Sequence, residues 1–421
     1  MHYEGEMLET KKLSRNVKIY TVLIALLPII AIYASGVPGI NLGELFLVAF
    51  WAYSLIFVKK GVFNSYSQVN ILIFFGWYAI FSTFISMFFD SSQINDVMVR
   101  TIRFCFYLFV IVYLSRKFFS LNYAIKVIKF VSIAGTFYII IQNISYRFFG
   151  LILKGFLPFI PVYTSQYETY DYAGLYETIF YRPTSFFLEP AHYSQYVLIA
   201  LVLFLFKEEF NIKNIISSVF ITIGVLLSTS GQGLIIATLI WFVYMLNLLL
   251  AKREIWKKRL LGITFPIITL AVLPFLLRSE IIQNNISRIL SSGSATSTAV
   301  GARTSGYLTF IMEDSIFIKL FGAGFGNTPH GVWFAGLSYI LYCLGIIGFL
   351  FLLGIFLIYY LKANSKFIKM LIFVCFMLSV SAEIINSYWI VFMFSLFCYN
   401  GELVPYIKAS YHVIDRRRGL I

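Results

Sequence analysis

The sequence predicts an all-α integral membrane protein, and three features predict it: the composition, the long apolar runs and the placement of the basic residues. Of the 421 residues, 60% are hydrophobic and 19% aromatic, whereas only 12% are charged. A soluble domain has roughly 45–50% apolar and about 25% charged residues. The formal net charge of +14 does not indicate nucleic-acid binding, because membrane proteins accumulate Lys and Arg on their cytoplasmic loops. We therefore expect membrane lipids, and no nucleic acid, around this chain.

Twelve apolar segments are predicted to span the membrane, since a spanning helix needs about 20 mostly apolar residues. They lie near residues 17–35, 40–58, 69–89, 101–115, 127–149, 187–206, 213–229, 233–250, 260–277, 334–361, 367–383 and 385–405. The sequence thus predicts a single polytopic domain over residues 1–421, with two long polar connections at about 150–186 and 278–333. The first segment lacks a small-residue cleavage site, so we expect it to stay in the membrane.

The basic residues predict the orientation of these helices. If both termini lie in the cytoplasm, the even-numbered connections between helices are inside and the odd-numbered ones outside. Twenty-four of the 33 basic residues then lie on the inner side. This excess is the one expected for cytoplasmic loops, so both long connections are predicted to be outer loops.

The basic residues on the outer side differ in kind from those inside. Seven of the nine outer residues are arginine, whereas 17 of the 24 inner ones are lysine. The planar arginine fork holds phosphate oxygens bidentately, which favours an anionic ligand on the outer side. The alternative is contact with lipid headgroups at the interface. The nine are Arg100, Arg103, Arg147, Lys154, Arg182, Arg278, Arg288, Arg303 and Lys319.

The first outer loop is rich in tyrosine. Tyrosine offers a flat apolar face and a hydroxyl group, which suits the faces and hydroxyl edges of sugar rings. Tyrosines also gather at membrane interfaces, so a simple interfacial belt is the alternative. The tyrosines are Tyr163, Tyr167, Tyr170, Tyr172, Tyr176 and Tyr181.

The segment RPTSFFLEPAHYSQY, residues 182–196, carries polar groups into a long apolar run. Pro190 suits the first turn of a helix, which places Glu189 at the N-cap as either a capping carboxylate or a functional one. His192 and Gln195 lie three residues apart, on one helix face with Tyr196. Charged groups at this depth are costly and often functional, although a lone histidine is more often simply hydrogen-bonded within the protein.

Two further outer segments carry small residues and glycines. The hairpin LLSTSGQGLI near 226–235 either exposes backbone amides to an anion or is only a tight turn. Downstream, FGAGFGN at 321–327 predicts a tight turn, because a dinucleotide fingerprint requires a parallel sheet that this chain lacks. His330 follows this turn.

The single cysteines Cys105, Cys343, Cys375 and Cys398 have no metal-ligand spacing and are expected to be buried.

Taken in order, these segments resemble a known family. An outer loop with arginine runs into a SFFxEP-like helix start, a serine-rich hairpin follows, and a large outer loop closes with GxGxGN, a histidine and a helix containing LGIIG. This pattern, over roughly residues 170–360, resembles the Wzy-type polymerases of O-antigen and capsular polysaccharide and the related O-antigen ligases. Gln232 stands in the hairpin where relatives often have a basic residue.

The resemblance implies a GT-C-like glycosyltransferase in the bacterial inner (plasma) membrane that needs neither metal nor cofactor. Its substrates would be glycans linked to undecaprenyl diphosphate, and a chain-length regulator would be a possible partner. The diphosphate would be held by arginines, and the attacking hydroxyl would need a base. The diphosphate candidates are Arg182, Arg303, Arg147 and Arg278; the base candidates are His330 and Glu189; the sugar-binding candidates are His192, Tyr176, Tyr181 and Tyr193.

Two other functions fit parts of the sequence. An O-antigen ligase would use the same donor with a different acceptor. A flippase or other transporter of lipid-linked oligosaccharides would also have many helices with inward arginines. The two halves of the chain show no internal repeat, which many transporters have, and this favours the enzyme.

Overall fold

The computed structural model describes residues 13–57, 69–87, 94–157, 159–163, 181–207, 211–250, 283, 299–329 and 331–398. These residues form helices and connecting segments, and their only β-pairing is two isolated bridges. The helices are α1 Arg15–Ile30, α2 Leu42–Phe57, α3 Val69–Ser86, α4 Ile94–Phe109, α5 Leu121–Phe149, α6 Pro190–Val202, α7 Ile212–Leu227, α8 Gly231–Leu249, α9 Ala299–Met312, α10 Ile316–Phe321, α11 Gly336–Lys362, α12 Lys366–Ser381 and α13 Trp389–Cys398.

Two of these helices continue beyond their α-helical part. A π-helical stretch, Val110–Ser115, and a last turn, Arg116–Phe118, extend α4. A π-helical stretch, Leu203–Lys207, extends α6. Within the described residues, six helices are long and apolar enough to cross a membrane. The protein is therefore an all-helical, membrane-embedded protein. The predicted segment 260–277 lies outside the described residues, and the number of twelve spans stays a prediction.

Helix α6 is the centre of the bundle. Every side chain from Tyr193 to Leu203 is buried, and the helix packs against α5, α7, α8 and α12. From Val197 onward the sequence of this helix is apolar all round, as expected for a helix surrounded by others. By contrast, one side of α3 carries the exposed aromatic residues Phe74, Trp77 and Phe81, which are suited to contact lipid.

The odd-numbered connections meet at one end of the bundle. Arg103, in the middle of α4, donates a hydrogen bond to the carbonyl of Gly39 in the first connection. Tyr33 in that connection forms a β-bridge with Val162 in the first long loop. At the other end, Lys207 Nζ donates to Asn122 Oδ1 at 2.8 Å, which joins two even-numbered connections. This grouping fits the alternation predicted from the basic residues, whereas the face of the membrane at each end stays a prediction.

Helix α11 is broken at Gly345, where φ is 67° and ψ is −175°. Only glycine adopts this conformation readily, and a Cβ atom here would lie 2.3 Å from the carbonyl oxygen of Leu320. The break frees backbone carbonyls inside the membrane region, where they need partners. The amides of Ala323 and Gly324 donate to the carbonyls of the residues just before the break, each at 3.0 Å. The Tyr78 hydroxyl donates to a third carbonyl at 2.9 Å.

Candidate functional site

The start of α6 brings a glutamate to the end where the odd-numbered connections meet. Pro190 occupies the first turn, where its missing N–H has no helical partner to lose. Glu189 precedes it at the N-cap, with φ −133° and ψ 155°. Its side chain makes no capping hydrogen bond. The geometry therefore gives no support to a capping role, and the half-buried carboxylate can face the site instead.

A second glutamate, Glu383, lies in the connection between α12 and α13 at the same end. Solvent reaches its side chain, although its neighbours Ala382 and Ile384 are only 3% and 1% exposed. Protein nevertheless surrounds the carboxylate so closely that desolvation raises its pKa to about 7. Glu383 is thus an exposed residue whose carboxylate is crowded by protein, and we refer to the surroundings of this carboxylate as the recess.

Glu189 is one of the groups that set the pKa of Glu383. The negative charge of Glu189 is the second cause of the raised pKa of Glu383, after desolvation. A hydrogen bond with the side chain of Trp333 and the positive charge of Arg100 act the other way and lower this pKa. Desolvation and Glu189 prevail, so Glu383 exchanges its proton near neutral pH. A group with such a pKa can accept or release a proton under physiological conditions.

Arg100 reaches this region from α4. Its Nη1 atom donates to the carbonyl of Gly326 at 2.9 Å, and its stem covers that glycine. Gly322, Gly324 and Gly326 all have positive φ, which gives the tight turn predicted from the glycine spacing. The turn is held by protein: the amide of the intervening Phe325 donates to Thr83 Oγ1 at 2.9 Å.

Arg182 lies beside the serine-rich hairpin. Its half-buried guanidinium donates from Nε to Thr229 Oγ1 at 3.3 Å. The hairpin is joined to its surroundings on two other sides. Ser194 on α6 and Ser228 share a hydrogen bond of 3.3 Å, and Gln232 Nε2 donates to a carbonyl of α12 at 3.2 Å. Arg182 is thus placed where α6, α8 and α12 meet.

Helix α9 carries Arg303 to the same end of the bundle. Ser305, two residues further along, donates from Oγ to the carbonyl of Trp333 at 2.9 Å. Gly306 packs closely on Phe334, the residue after Trp333, since a Cβ atom at position 306 would lie 2.6 Å from a ring carbon of Phe334. Because the Trp333 side chain also bonds with Glu383, the turn of α9 that bears Arg303 lies near the carboxylates.

Three buried polar atoms next to the carboxylates have no hydrogen-bond partner. They are Nδ1 of His192, Oδ1 of Asn386 and Nε1 of Trp389. The rings of His192 and Trp389 lie 5.8 Å apart between centroids, and Trp389 is only 2% exposed. Unpartnered polar groups in a protein interior cost about 1–3 kcal/mol each, so a cluster of them calls for an explanation. Asn386 and Trp389 lie three and six residues after Glu383 in the chain, so the cluster belongs to the same region as this carboxylate.

Two of the tyrosines predicted to bind sugar are engaged within the protein. Tyr193 is fully buried and shares a hydrogen bond of 2.8 Å with Thr136 on α5. Tyr181 is buried, stacks on Tyr146 and donates to the carbonyl of Leu153 at 3.3 Å. Neither has the accessible surface that sugar binding needs in this conformation, and their contacts are those of packing residues.

The remaining predicted residues are spread more widely. Arg147 is exposed in the last turn of α5, where a cation complements the helix dipole. Its exposed neighbours Phe148 and Phe149 give this helix end the character of a membrane interface. His330, Arg278 and Tyr176 lie outside the described residues, as does the side chain of Arg303.

No sequence motif marks Glu383, and Arg100 stands out only as one of nine basic residues predicted on the outer side, seven of them arginine. Glu383 is easily missed because it lies at the edge of an apolar segment, 367–383. The signal that could have found it is the cost of an isolated carboxylate beside a membrane segment. Its closeness to Glu189, nearly 200 residues away, depends on the folded arrangement and leaves no trace in local sequence.

The described residues contain no group of three or more His, Cys, Asp and Glu side chains arranged to hold a metal ion. Comparison of the chain with family models and with curated proteins gave no match. The chemistry of the site therefore depends on its own residues. They are the carboxylates Glu189 and Glu383, of which Glu383 exchanges its proton near neutral pH, and the arginines on the elements around them.

Proposed function

We propose that this protein is a polysaccharide polymerase, a metal-independent membrane glycosyltransferase of GT-C-like architecture in the bacterial inner (plasma) membrane. It extends O-antigen, capsule or exopolysaccharide on the outer face by transferring a glycan from undecaprenyl diphosphate to a lipid-linked repeat unit. The full proposal includes twelve spans, cytoplasmic termini and possible control by a chain-length regulator. The observation that carries it is the convergence of Glu189, Glu383, Arg100 and Arg182 from separate elements at one end of the bundle.

The arginines supply what the departing diphosphate needs. Negative charge grows on the leaving group as its bond to the sugar breaks, and fixed positive charge stabilises that transition state. Arg182 lies between three helices, and α9 carries Arg303 to the same region. Arginine suits this task because it holds phosphate oxygens bidentately and stays charged. In this proposal Arg182 and Arg303 bind the diphosphate, with Arg278 and Arg147 further out.

The carboxylates supply what the acceptor needs. The attacking hydroxyl must lose a proton as it bonds to the anomeric carbon, and a positioned base accelerates such a step by about 10²–10⁴-fold. Glu189 is half-buried, makes no capping bond and lies near a second carboxylate. His330 stays a second candidate, since it follows the glycine turn in the sequence.

The interior below the site favours an enzyme over a transporter. The stretch Val197–Leu203 of α6 is fully buried and wholly apolar. A flippase must move a charged diphosphate across the membrane, which calls for polar groups along the route because charge in hydrocarbon is costly. The polar residues that α6 itself carries, His192, Ser194 and Gln195, instead lie in its first two turns, where a reaction on one face would need them.

The experiment is deletion of this gene in its host, with the surface and lipid-linked glycans separated by size. A polymerase defect leaves single repeat units that reach the outer face and are never extended. We expect one-unit glycan without a ladder, and the ladder should return when the wild-type gene is supplied. Long chains that accumulate on the lipid carrier would identify a ligase instead, and loss of even the single outward unit would identify a flippase.

A further inference from the structure

We propose that the base that removes the proton from the attacking hydroxyl of the acceptor sugar is Glu383 rather than Glu189 or His330, and that Glu189 acts on Glu383 from the adjacent helix start. This inference rests on the proposed function and assigns a role to a residue that the sequence pattern does not mark. Its grounds are the position of Glu383 in the recess, the anchoring of its backbone and the groups that surround its carboxylate.

The backbone around Glu383 is fixed from both sides. The amide of Gly336, at the start of α11, donates to the carbonyl of Ala382 at 2.8 Å. A Cβ atom on Gly336 would lie 2.8 Å from that same carbonyl, so the close approach requires glycine. The Ser387 hydroxyl donates to the carbonyl of Glu383 itself. A base held in this way needs little reorganisation when substrate binds, which is what an efficient proton acceptor requires.

The carboxylate is both reachable and oriented. Glu383 is an exposed residue, so a sugar hydroxyl can approach its side chain. The side chain of Trp333 makes a hydrogen bond with it, and because an indole N–H can only donate, the carboxylate accepts. Glu189 lacks such a bond from the start of its own helix. Of the two carboxylates, Glu383 is therefore the one whose direction is set by a partner side chain.

The groups around Glu383 set its pKa in the range that a base needs. The charged and titratable groups near Glu383 are Glu189 on α6, Arg100 on α4 and Tyr339 on α11, with His192 and Cys343 one contact further away. Together with desolvation they leave the pKa of Glu383 at about 7. A base works best when its pKa lies near the operating pH, because it is then both available and strong enough.

The step balances as follows. The acceptor hydroxyl oxygen forms a bond to the anomeric carbon of the donor glycan, and its proton passes to the carboxylate of Glu383. The bond between that carbon and the diphosphate oxygen breaks, and the electron pair leaves with the lipid diphosphate next to the arginines. Glu383 then releases its proton to the outer aqueous phase, which returns the site to its starting state.

The test uses the full-length protein in lipid vesicles and lipid-linked repeat units extracted from the deletion strain. Glu383→Gln should lower the rate of polymer formation by at least about 100-fold, while Glu383→Asp keeps a measurable part of it. The matched control is Asp314→Asn, an exposed carboxylate in the connection between α9 and α10, which should leave the rate unchanged. Unaltered thermal unfolding of the variants would show that they are folded.

A pH profile separates a base from a structural carboxylate. The wild-type rate should rise through a midpoint near pH 7, and Glu189→Gln should move that midpoint to lower pH because a repelling charge is gone. A Glu383→Gln variant within fivefold of the wild-type rate, or a wild-type rate that stays flat from pH 5 to 8, would overturn the assignment of Glu383 alone. Wild-type protein that makes no polymer would overturn the proposed function together with this inference.

Discussion

The Nε atom of Arg182 donates a hydrogen bond to Oγ1 of Thr229 across 3.3 Å, which joins the end of the first long loop to the serine-rich hairpin. Thr229 itself has a positive φ of 56°. This conformation is costly for a β-branched residue, and it persists only where the surroundings fix it. Strained positions of this kind gather at functional sites. The contact therefore marks the hairpin as a structure built to hold the arginine in place.

The first prediction concerns Arg182 and Arg303. If they hold a diphosphate bidentately, lysine cannot replace them, because its ammonium group is a single point charge. We expect Arg182→Lys and Arg303→Lys each to lose most polymer, by about tenfold or more, while the protein still reaches the membrane. The measurement is the glycan ladder in the deletion strain that carries each variant.

The control for these variants is Arg15→Lys, an exposed arginine at the start of α1 on the opposite end of the bundle. It should support a normal ladder. Near-normal polymer from Arg182→Lys would mean that the outer arginines act only as general positive charge, and the diphosphate role would then be lost.

Much of the fold follows from the sequence because a membrane simplifies the physics. A bilayer demands internally hydrogen-bonded segments of about 20 apolar residues, so the position of most helices can be read directly. The breaks are harder to predict. Gly345 interrupts α11 inside an apolar run, and only the docking of the Gly322–Asn327 turn against it explains why the break is stable.

The site was only partly readable from the sequence, for a related reason. Arg182 and Glu189 stand in one short segment, and their polarity in an apolar context draws attention to them. Glu383 and Arg100 reach the site from distant elements, and no local pattern brings them together. Tyr193 is a different case: it neighbours His192 in the sequence, and its side chain is fully buried in the folded chain.

The second prediction tests the orientation. Asp314 lies in the predicted outer connection 278–333 and Asn364 in the predicted inner connection between α11 and α12, and both are exposed. If the excess of inner basic residues sets the topology, a cysteine at position 314 should react with a membrane-impermeant reagent in intact cells and one at 364 should not. The half-buried Cys105 is replaced by serine to lower the background. The reverse labelling would place the site in the cytoplasm and remove the basis for the proposed function.

The third prediction concerns the break in α11. Gly345→Ala should lower the free energy of unfolding by at least about 2 kcal/mol, because a non-glycine residue is strained at its φ of 67°. Its Cβ atom would also lie 2.3 Å from the Leu320 carbonyl oxygen. Gly354, in the same helix with no atom within 4 Å of an added Cβ, provides the control. Gly354→Ala should be neutral or stabilising by up to about 1 kcal/mol. Denaturant titration in detergent measures the free energy of unfolding of both variants. Equal changes for Gly345→Ala and Gly354→Ala would contradict the requirement for glycine at the break in α11.

The fourth prediction concerns the ion pair between Glu44 and Arg103. Their atoms Oε1 and Nε lie 3.1 Å apart, and the side chains are only 6% and 20% exposed. Glu44 also accepts the amide of Asn41 at 3.0 Å, as in a capping box. Glu44→Gln keeps an acceptor for this cap but removes the charge, so stability should fall by about 3 kcal/mol.

Two further variants show whether this loss comes from the buried charge. Glu313→Gln, a half-buried glutamate whose carboxylate accepts from Ser315, should cost less than about 1 kcal/mol. Adding Arg103→Met to Glu44→Gln should restore part of the lost stability, because the unpaired guanidinium is then gone. If the double variant lost the sum of both single effects, the two residues would act independently.

The last prediction uses the raised pKa of Glu383 as a probe of folding. Desolvation and the charge of Glu189 hold this pKa at about 7, above its ordinary value of 4.5, so the folded protein binds the proton more tightly than the unfolded chain does. The contribution of Glu383 to stability is therefore fully present below pH 4.5 and is lost as the pH rises through about 7. Glu383→Gln, which stays neutral, should show a smaller fall in unfolding temperature than the wild type between these two values. Asp314→Asn should show the wild-type slope, because this exposed carboxylate is not part of the recess. The measurement is the unfolding temperature at half-unit pH steps in detergent. A wild-type protein whose stability rose over this range, with Glu383→Gln unchanged from it, would show that Glu383 is an ordinary ionised surface carboxylate.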